Sequence, residues 1–206
     1  MGAGLTAILD ASVRVLDADA ELMLRFQAGE ASCFDELVGR YRKPLLGFVY
    51  RMVGDRDASE EILQEVFLRV YLHRARYQPT ARFSTWVYRI ASHLALNHRR
   101  DHRREERMER LDEPVGEEAA PRELADQRLN AEQVLLRASE EAVRRGRVRE
   151  AVTGLPGRQR VAVILHKYQG LDYEEIAGAL ELSASATKSL LFRAYERLRR
   201  ELKDLL

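Results

Sequence analysis

One cysteine, five prolines and 7% aromatic residues in a chain of 206 exclude a good deal before any motif is read. A lone Cys33 builds neither a disulfide framework nor a cysteine-rich zinc site. It fits a reducing compartment, so the expected location is cytoplasmic. No apolar run approaches the roughly 18 residues a membrane helix needs, so no membrane insertion is expected. Met1 to Leu16 is mildly apolar but has no basic stretch ahead of an apolar one, and it is not read as a signal peptide. A glycine-rich phosphate loop is missing, and Cys33 has no base near it in sequence. No catalytic residue, metal or cofactor is therefore expected. What is abundant is Leu, Ala, Glu and Arg, which favours helices.

The net charge of +1 is informative only when divided. Residues 1–72 carry −4, 73–104 carry +7, 105–146 carry −5 and 147–206 carry +3. Two basic segments separated by an acidic one point to two contact surfaces for a polyanion. Solvated helix faces would give the same blocks without any partner.

No internal repeat of 20–50 residues is visible. The strongest interruption runs from Asp112 to Pro121, acidic and holding two prolines and a glycine. The expected fold is all-α, as two small helical domains joined by an acidic flexible linker. Their bounds are an N-terminal extension at 1–18, a first domain at 19–104, a linker at 105–129 and a second domain at 130–206. The first domain reads as helices at Asp19–Ala28, Ala31–Val53, Asp57–Arg74 and from Phe83 to Arg100 or beyond. Pro44 is a candidate kink. The apolar stripe of the third helix is Ala58, Ile62, Val66, Phe67, Val70 and Tyr71. The second domain reads as Ala131–Thr153, Arg158–Tyr168, Tyr173–Leu180 and Ala184 to about Leu202. Asn130 with Gln133, and Asp172 with Glu175, look like capping boxes.

Three stretches carry possible chemistry. In Tyr173–Lys188 a short helix, a tight turn and a longer basic helix follow one another, a helix-turn-helix arrangement whose second helix enters a major groove. Ser183 caps that helix. Ser185, Lys188, Ser189, Phe192 and Arg193 form its candidate contact set, with Lys and Arg able to reach phosphates or guanine edges. An ordinary helical hairpin is the plainer reading. In the fourth helix, Tyr88, Arg89, His93, Asn97 and Arg100 combine an aromatic platform, polar edges and cations, which matches single-stranded DNA. Phe83 and Trp86 are assigned to the core by their spacing with Ile90. Glu61, Gln64 and Glu65 project from the polar side of the third helix, and alone they read as a solvated acidic face. His98 and His102, four apart, could bind zinc, but no metalloprotease pattern accompanies them and arginines crowd the site.

Taken in order, these pieces resemble a bacterial sigma factor of the extracytoplasmic-function group. The matching stretches are Cys33–Val38, Gly54–Phe67, Phe83–Ala91, Leu155–Arg160 and Tyr173–Ala177, with Lys188-Ser189 and Arg193-Ala194. The resemblance covers about residues 19–104 and 130–206. It implies two helical domains, region 2 and region 4, without the domain that larger sigma factors place between them. It implies core RNA polymerase as partner. Region 2 would dock on the clamp coiled coil through Glu61, Gln64 and Glu65, and region 4 would touch the flap. It implies promoter DNA as the other partner. The −10 single strand would be captured by the loop at 76–82 and the fourth helix, and the −35 duplex read through Lys188, Ser189, Phe192 and Arg193. An anti-sigma factor is a further implied partner, which could hold the protein near a membrane. His93 stands where the family usually has Asn. Ala186, Thr187 and Leu190 stand where Thr, Val and Arg are usual. Promoter preferences are therefore not carried over from relatives. Competing readings are a conventional regulator that binds duplex DNA without polymerase, and a metal-dependent hydrolase built on His98 and His102.

Overall fold

The computed structural model describes residues 17–112 and 132–205, with side chains for all of these but 103, 105–112 and 132–140. The described residues form helices and short 3-10 turns, with no strand among them. The helices are α1 (Ala18–Gln27), α2 (Ala31–Val53), α3 (Arg56–His73), α4 (Phe83–Asp112), α5 (Glu132–Thr153), α6 (Gly157–Tyr168), α7 (Tyr173–Leu180) and α8 (Ala184–Glu201).

Local chemistry explains where they start and stop. Asp17 caps α1 by accepting from the Ala20 N–H at 2.6 Å, and its other oxygen accepts from the Phe83 N–H at 3.2 Å. One carboxylate thus serves the first turns of two helices 66 residues apart. Asp55 caps α3 through the Ala58 N–H at 2.7 Å. Gly54 ends α2 in the left-handed region, at φ 86°, which a glycine adopts without penalty. Asp172 and Glu175 close a reciprocal capping box at the start of α7. Asp172→Ala is expected to destabilise the protein by about 1 kcal/mol, and Asp172→Asn by much less, read from urea midpoints.

The core is one continuous cluster. Met23, Leu37, Leu45, Phe48, Val49, Met52 and Phe83 fill the first half, and Leu155, Ile164, Leu165, Ile176 and Leu191 fill the second. The halves meet where α4 packs on α7 and α2 packs on α6. Arg160 of α6 is buried at this junction. Its Nε donates to the Val152 carbonyl at 3.1 Å, and one Nη donates to the Met52 carbonyl at the end of α2 at 2.9 Å. A buried guanidinium is tolerated when backbone carbonyls satisfy it.

Burial also raises several phenols. Desolvation pushes Tyr41, Tyr77 and Tyr88 well above the usual range and Tyr195 up to about 12. Above pH 10 the unfolded chain releases these protons while the folded chain keeps them. Stability is therefore expected to be fully retained below pH 10 with respect to these groups and lost as pH rises through the raised values. Denaturant midpoints measured between pH 9 and pH 12 check this.

Two expectations need correction. Helix α4 runs through Asp112, eight residues into the stretch expected as linker, because the first helix breaker is Pro114. Helix α2 spans Ala31–Val53 with Pro44 inside it. Tyr71, expected on the buried stripe of α3, is exposed. Ser59 and Leu63 are buried instead, and the Tyr71 ring stays at the surface against Phe26, Phe34 and the Arg74 guanidinium. The N-terminal extension before Asp17, the linker from 113 and the Asn130 cap lie outside the described residues.

Candidate nucleic-acid interface

The second helix of the helix-turn-helix unit presents an open basic face. Ser183 caps α8 by accepting from the Ala186 N–H at 3.1 Å. Thr187, Leu191 and Ala194 turn into the core, which leaves Ser185, Lys188, Ser189, Phe192 and Arg193 exposed on the other side. Phe192 is 67% exposed. Lys188, Ser189, Phe192 and Arg193 line an open groove along α8 with Tyr173, Tyr195, Glu196 and Arg199. An exposed aromatic ring beside three cations offers apolar contact with a thymine methyl next to phosphate contacts. Two of the three unusual residues in this helix face inward. Thr187 is buried and its hydroxyl donates to the Ser183 carbonyl, and Leu190 packs half-buried against the core.

The turn between α7 and α8 is tight. Glu181 sits in the left-handed region at φ 54°, and its N–H donates to the Ala177 carbonyl. The Leu182 N–H reaches the same carbonyl at 2.9 Å.

The α4 set divides. Asn97 and Arg100 are exposed, and Arg100 pairs with its neighbour Asp101. Arg89 and His93 are partly covered by the second half. The Arg89 Nε donates to the Gly178 carbonyl at 3.1 Å, and Glu181 lies 3.7 Å from the Arg89 guanidinium and 3.5 Å from His93 Nε2. Tyr88, expected as a stacking platform, is buried. Its ring packs edge-on against Phe48 and its hydroxyl donates to the Gln169 side chain at 2.6 Å. In this arrangement Tyr88 is a joint between the halves. Phe83 is buried and Trp86 half-buried, both against Tyr77, as their spacing indicates.

The loop at 76–82 is held from behind. Gln27 at the end of α1 donates to the carbonyls of Arg74 and Ala75 at 2.9 and 3.0 Å. Nothing in the sequence marks Gln27, which acts across some 48 residues. On α3, Glu61 and Gln64 are exposed and Glu65 is half-buried beside Arg69. Leu68 and Leu72, at 50% and 61% exposure, continue the same stripe. Positions 61, 64, 65, 68 and 72 share one helix face, so the spacing could have revealed the two leucines. The His98 and His102 rings stack 6.2 Å apart. Among the described residues no group of three possible metal ligands occurs.

Comparisons with known proteins fall on the same two halves. The family description "Sigma-70 region 2" matches residues 37–105, and "Sigma-70, region 4" matches residues 145–198. The RNA polymerase sigma-H factor of Pseudomonas aeruginosa is 31% identical over 195 residues, covering 92% of this chain and 96% of its own. The chain belongs to the sigma-70 family, in its extracytoplasmic-function group. The RNA polymerase sigma factor CarQ of Myxococcus xanthus is 32% identical over 186 residues, covering 89% of this chain and 97% of its own. The extracytoplasmic-function sigma-E factor of Escherichia coli is 30% identical over 188 residues, covering 91% and 96%. Among solved structures, CnrH bound to the cytosolic domain of CnrY has the same fold, with a TM-score of 0.65 at 20% identity over 91% of this chain and 99% of that one. The sigma factor RpoE of Bartonella quintana, solved with the anti-sigma factor NepR, gives 0.60 at 19% identity over 82% and 96%. As a sigma factor, the protein directs promoter-specific initiation of transcription by RNA polymerase. No helix among its described residues is long and apolar enough to cross a membrane.

Proposed function

We propose a division of labour over three faces. The α3 stripe of Glu61, Gln64, Glu65, Leu68 and Leu72 docks on the clamp coiled coil of core polymerase, with the leucines giving an apolar centre inside a polar rim. The α8 face of Ser185, Lys188, Ser189, Phe192 and Arg193 reads −35 duplex in the major groove. The loop at 76–82 and the α4 set of Arg89, His93, Asn97 and Arg100 bind the −10 single strand. The single observation that carries this reading is the exposed basic α8 face with Phe192 at its middle. Region 4 also touches the flap, and the shared polymerase makes all contacts simultaneous.

Melting on this reading needs no hydrolysis. Binding the open strand more tightly than the duplex offsets the few kcal/mol of unstacking, so the protein acts as a specificity subunit rather than as an enzyme. It works in the cytoplasm. An anti-sigma factor is a further partner, supported by the similar fold of the sigma factor solved with NepR.

Run-off transcription with bacterial core polymerase, this protein and a pool of promoter fragments tests the proposal. Initiation at defined start sites, absent with core alone, is the expected result. No initiation, with tight binding of duplex DNA by the free protein, would favour a conventional regulator instead.

A further inference from the structure

We infer that α1 is the brace of the −10 capture loop: Asp17 at its start and Gln27 at its end hold the two ends of the 76–82 loop, and both are positioning residues for strand capture. This rests on the assignment of that loop to the −10 strand.

The two contacts sit on either side of the loop. On its entry side the Gln27 amide donates to the Arg74 and Ala75 carbonyls at 2.9 and 3.0 Å. These lie where α3 and the turn after it end, and helix ends leave carbonyls short of partners. On its exit side Asp17 accepts from the Phe83 N–H at 3.2 Å, in the first turn of α4. The other Asp17 oxygen caps α1 itself through the Ala20 N–H. From Ala75 to Phe83 a stretched chain would reach about 27 Å. Helix α1, 10 residues long, measures only about 15 Å between its two ends. The surplus chain has to bulge. Tyr77 and Phe83 turn into the core at the two ends of the loop, while Gln78, Thr80 and Arg82 stand exposed between them.

The brace is itself held firmly. Ala20, Leu22, Met23 and Phe26 bury its apolar face, and the Phe26 ring stacks on that of Phe34 in α2 at 4.9 Å. Asp19 accepts from the Tyr41 hydroxyl at 2.7 Å and pairs with Arg40, which ties the same turn to α2. Helix α1 has no need to touch the strand. Asp17, Asp19 and Glu21 crowd its start, a poor surface for a polyanion. It acts through the loop. A loop already shaped loses little freedom when an unstacked base enters it, so more of the contact energy is left to hold the strand open.

The test uses the full chain with core polymerase on a promoter fragment from the run-off pool, carrying 2-aminopurine in the non-template strand of the −10 element. Asp17→Asn keeps one oxygen for the α1 cap and turns an amide toward the Phe83 N–H, which then lacks an acceptor. It also removes a negative charge, which alone would favour DNA. Gln27→Leu removes both donors at similar volume. Each is expected to slow the rise of 2-aminopurine fluorescence at least fivefold, with co-elution with core unchanged. Gln27→Lys, which brings N–H donors back, should come within threefold of the parent. On the same fragment with the −10 element mismatched beforehand, all variants should initiate within twofold of the parent, which a loss of folded protein would not allow. Parent-like opening by Asp17→Asn and Gln27→Leu, or a deficit as large on the mismatched template, would overturn the inference. Gln78→Ala with Thr80→Ala separates it from the loop assignment beneath it. Slow opening there, with normal opening at Asp17→Asn and Gln27→Leu, removes the brace alone. Normal opening there removes the −10 assignment of the loop and the brace with it.

Discussion

Reversing two charges on α3, as Glu61→Lys with Glu65→Lys, is expected to cut run-off initiation about a hundredfold at limiting protein while leaving the fold intact. A hundredfold loss corresponds to about 2.7 kcal/mol. Two like charges placed in a desolvated interface reach that figure, because the reversal removes an attraction and adds a repulsion. The cost to the free protein is small. Glu61 is exposed, and the pairing of Glu65 with Arg69 at i,i+4 contributes only a few tenths of a kcal/mol. Urea midpoints within about 0.5 kcal/mol of the parent, together with lost co-elution with core polymerase, would place the effect in docking. Undiminished initiation would remove these residues from the polymerase contact. Leu68→Ala with Leu72→Ala in the same assay separates the apolar centre of the stripe from its acidic part.

Phe48→Ala is expected to have the largest effect on stability, about 3–5 kcal/mol. Its ring is fully buried and stands 5.5 Å from that of Tyr88, edge-on. Truncation leaves a cavity that flanking helices cannot readily close, because α2 is also packed against α3, α4 and α6. For a chain of this size the melting temperature should fall by about 10 °C. The Tyr88 hydroxyl is bonded to Gln169, so the same substitution also loosens the joint between the halves. Phe48→Leu, which keeps most of the volume, should cost less than half as much. Calorimetry on the three proteins decides it.

Helix α7 was legible to the residue, since Asp172 and Glu175 form a local capping box and Gly170 stops what precedes. The same holds for α2, which ends at Gly54 because only a glycine takes that backbone without strain. The outward side of α8 was legible from its spacing, and Lys188, Ser189, Phe192 and Arg193 are all exposed. The end of α4 was left open beyond Arg100, and the linker was started too early at 105, because charged residues at 105–112 are as compatible with a solvated helix as with a linker. Tyr88 was misjudged for a different reason. It sits on α4 next to the polar face, and only α2 and α6 decide that its ring is inside and its hydroxyl bonded.

The sequence by itself determined the helices, their caps, the two-part organisation and the family, because all of these depend on residues close together along the chain. The tertiary structure alone decided which cations are free. Arg82, Arg89 and His93 meet Glu175 and Glu181 across some 90 residues, and Gln27 meets the turn before the capture loop across 48. Such pairs leave no periodic mark, since either partner would look the same on a solvated face. Their meeting follows from how closely α4 and α7 approach, which the missing side chain of Gly178 permits.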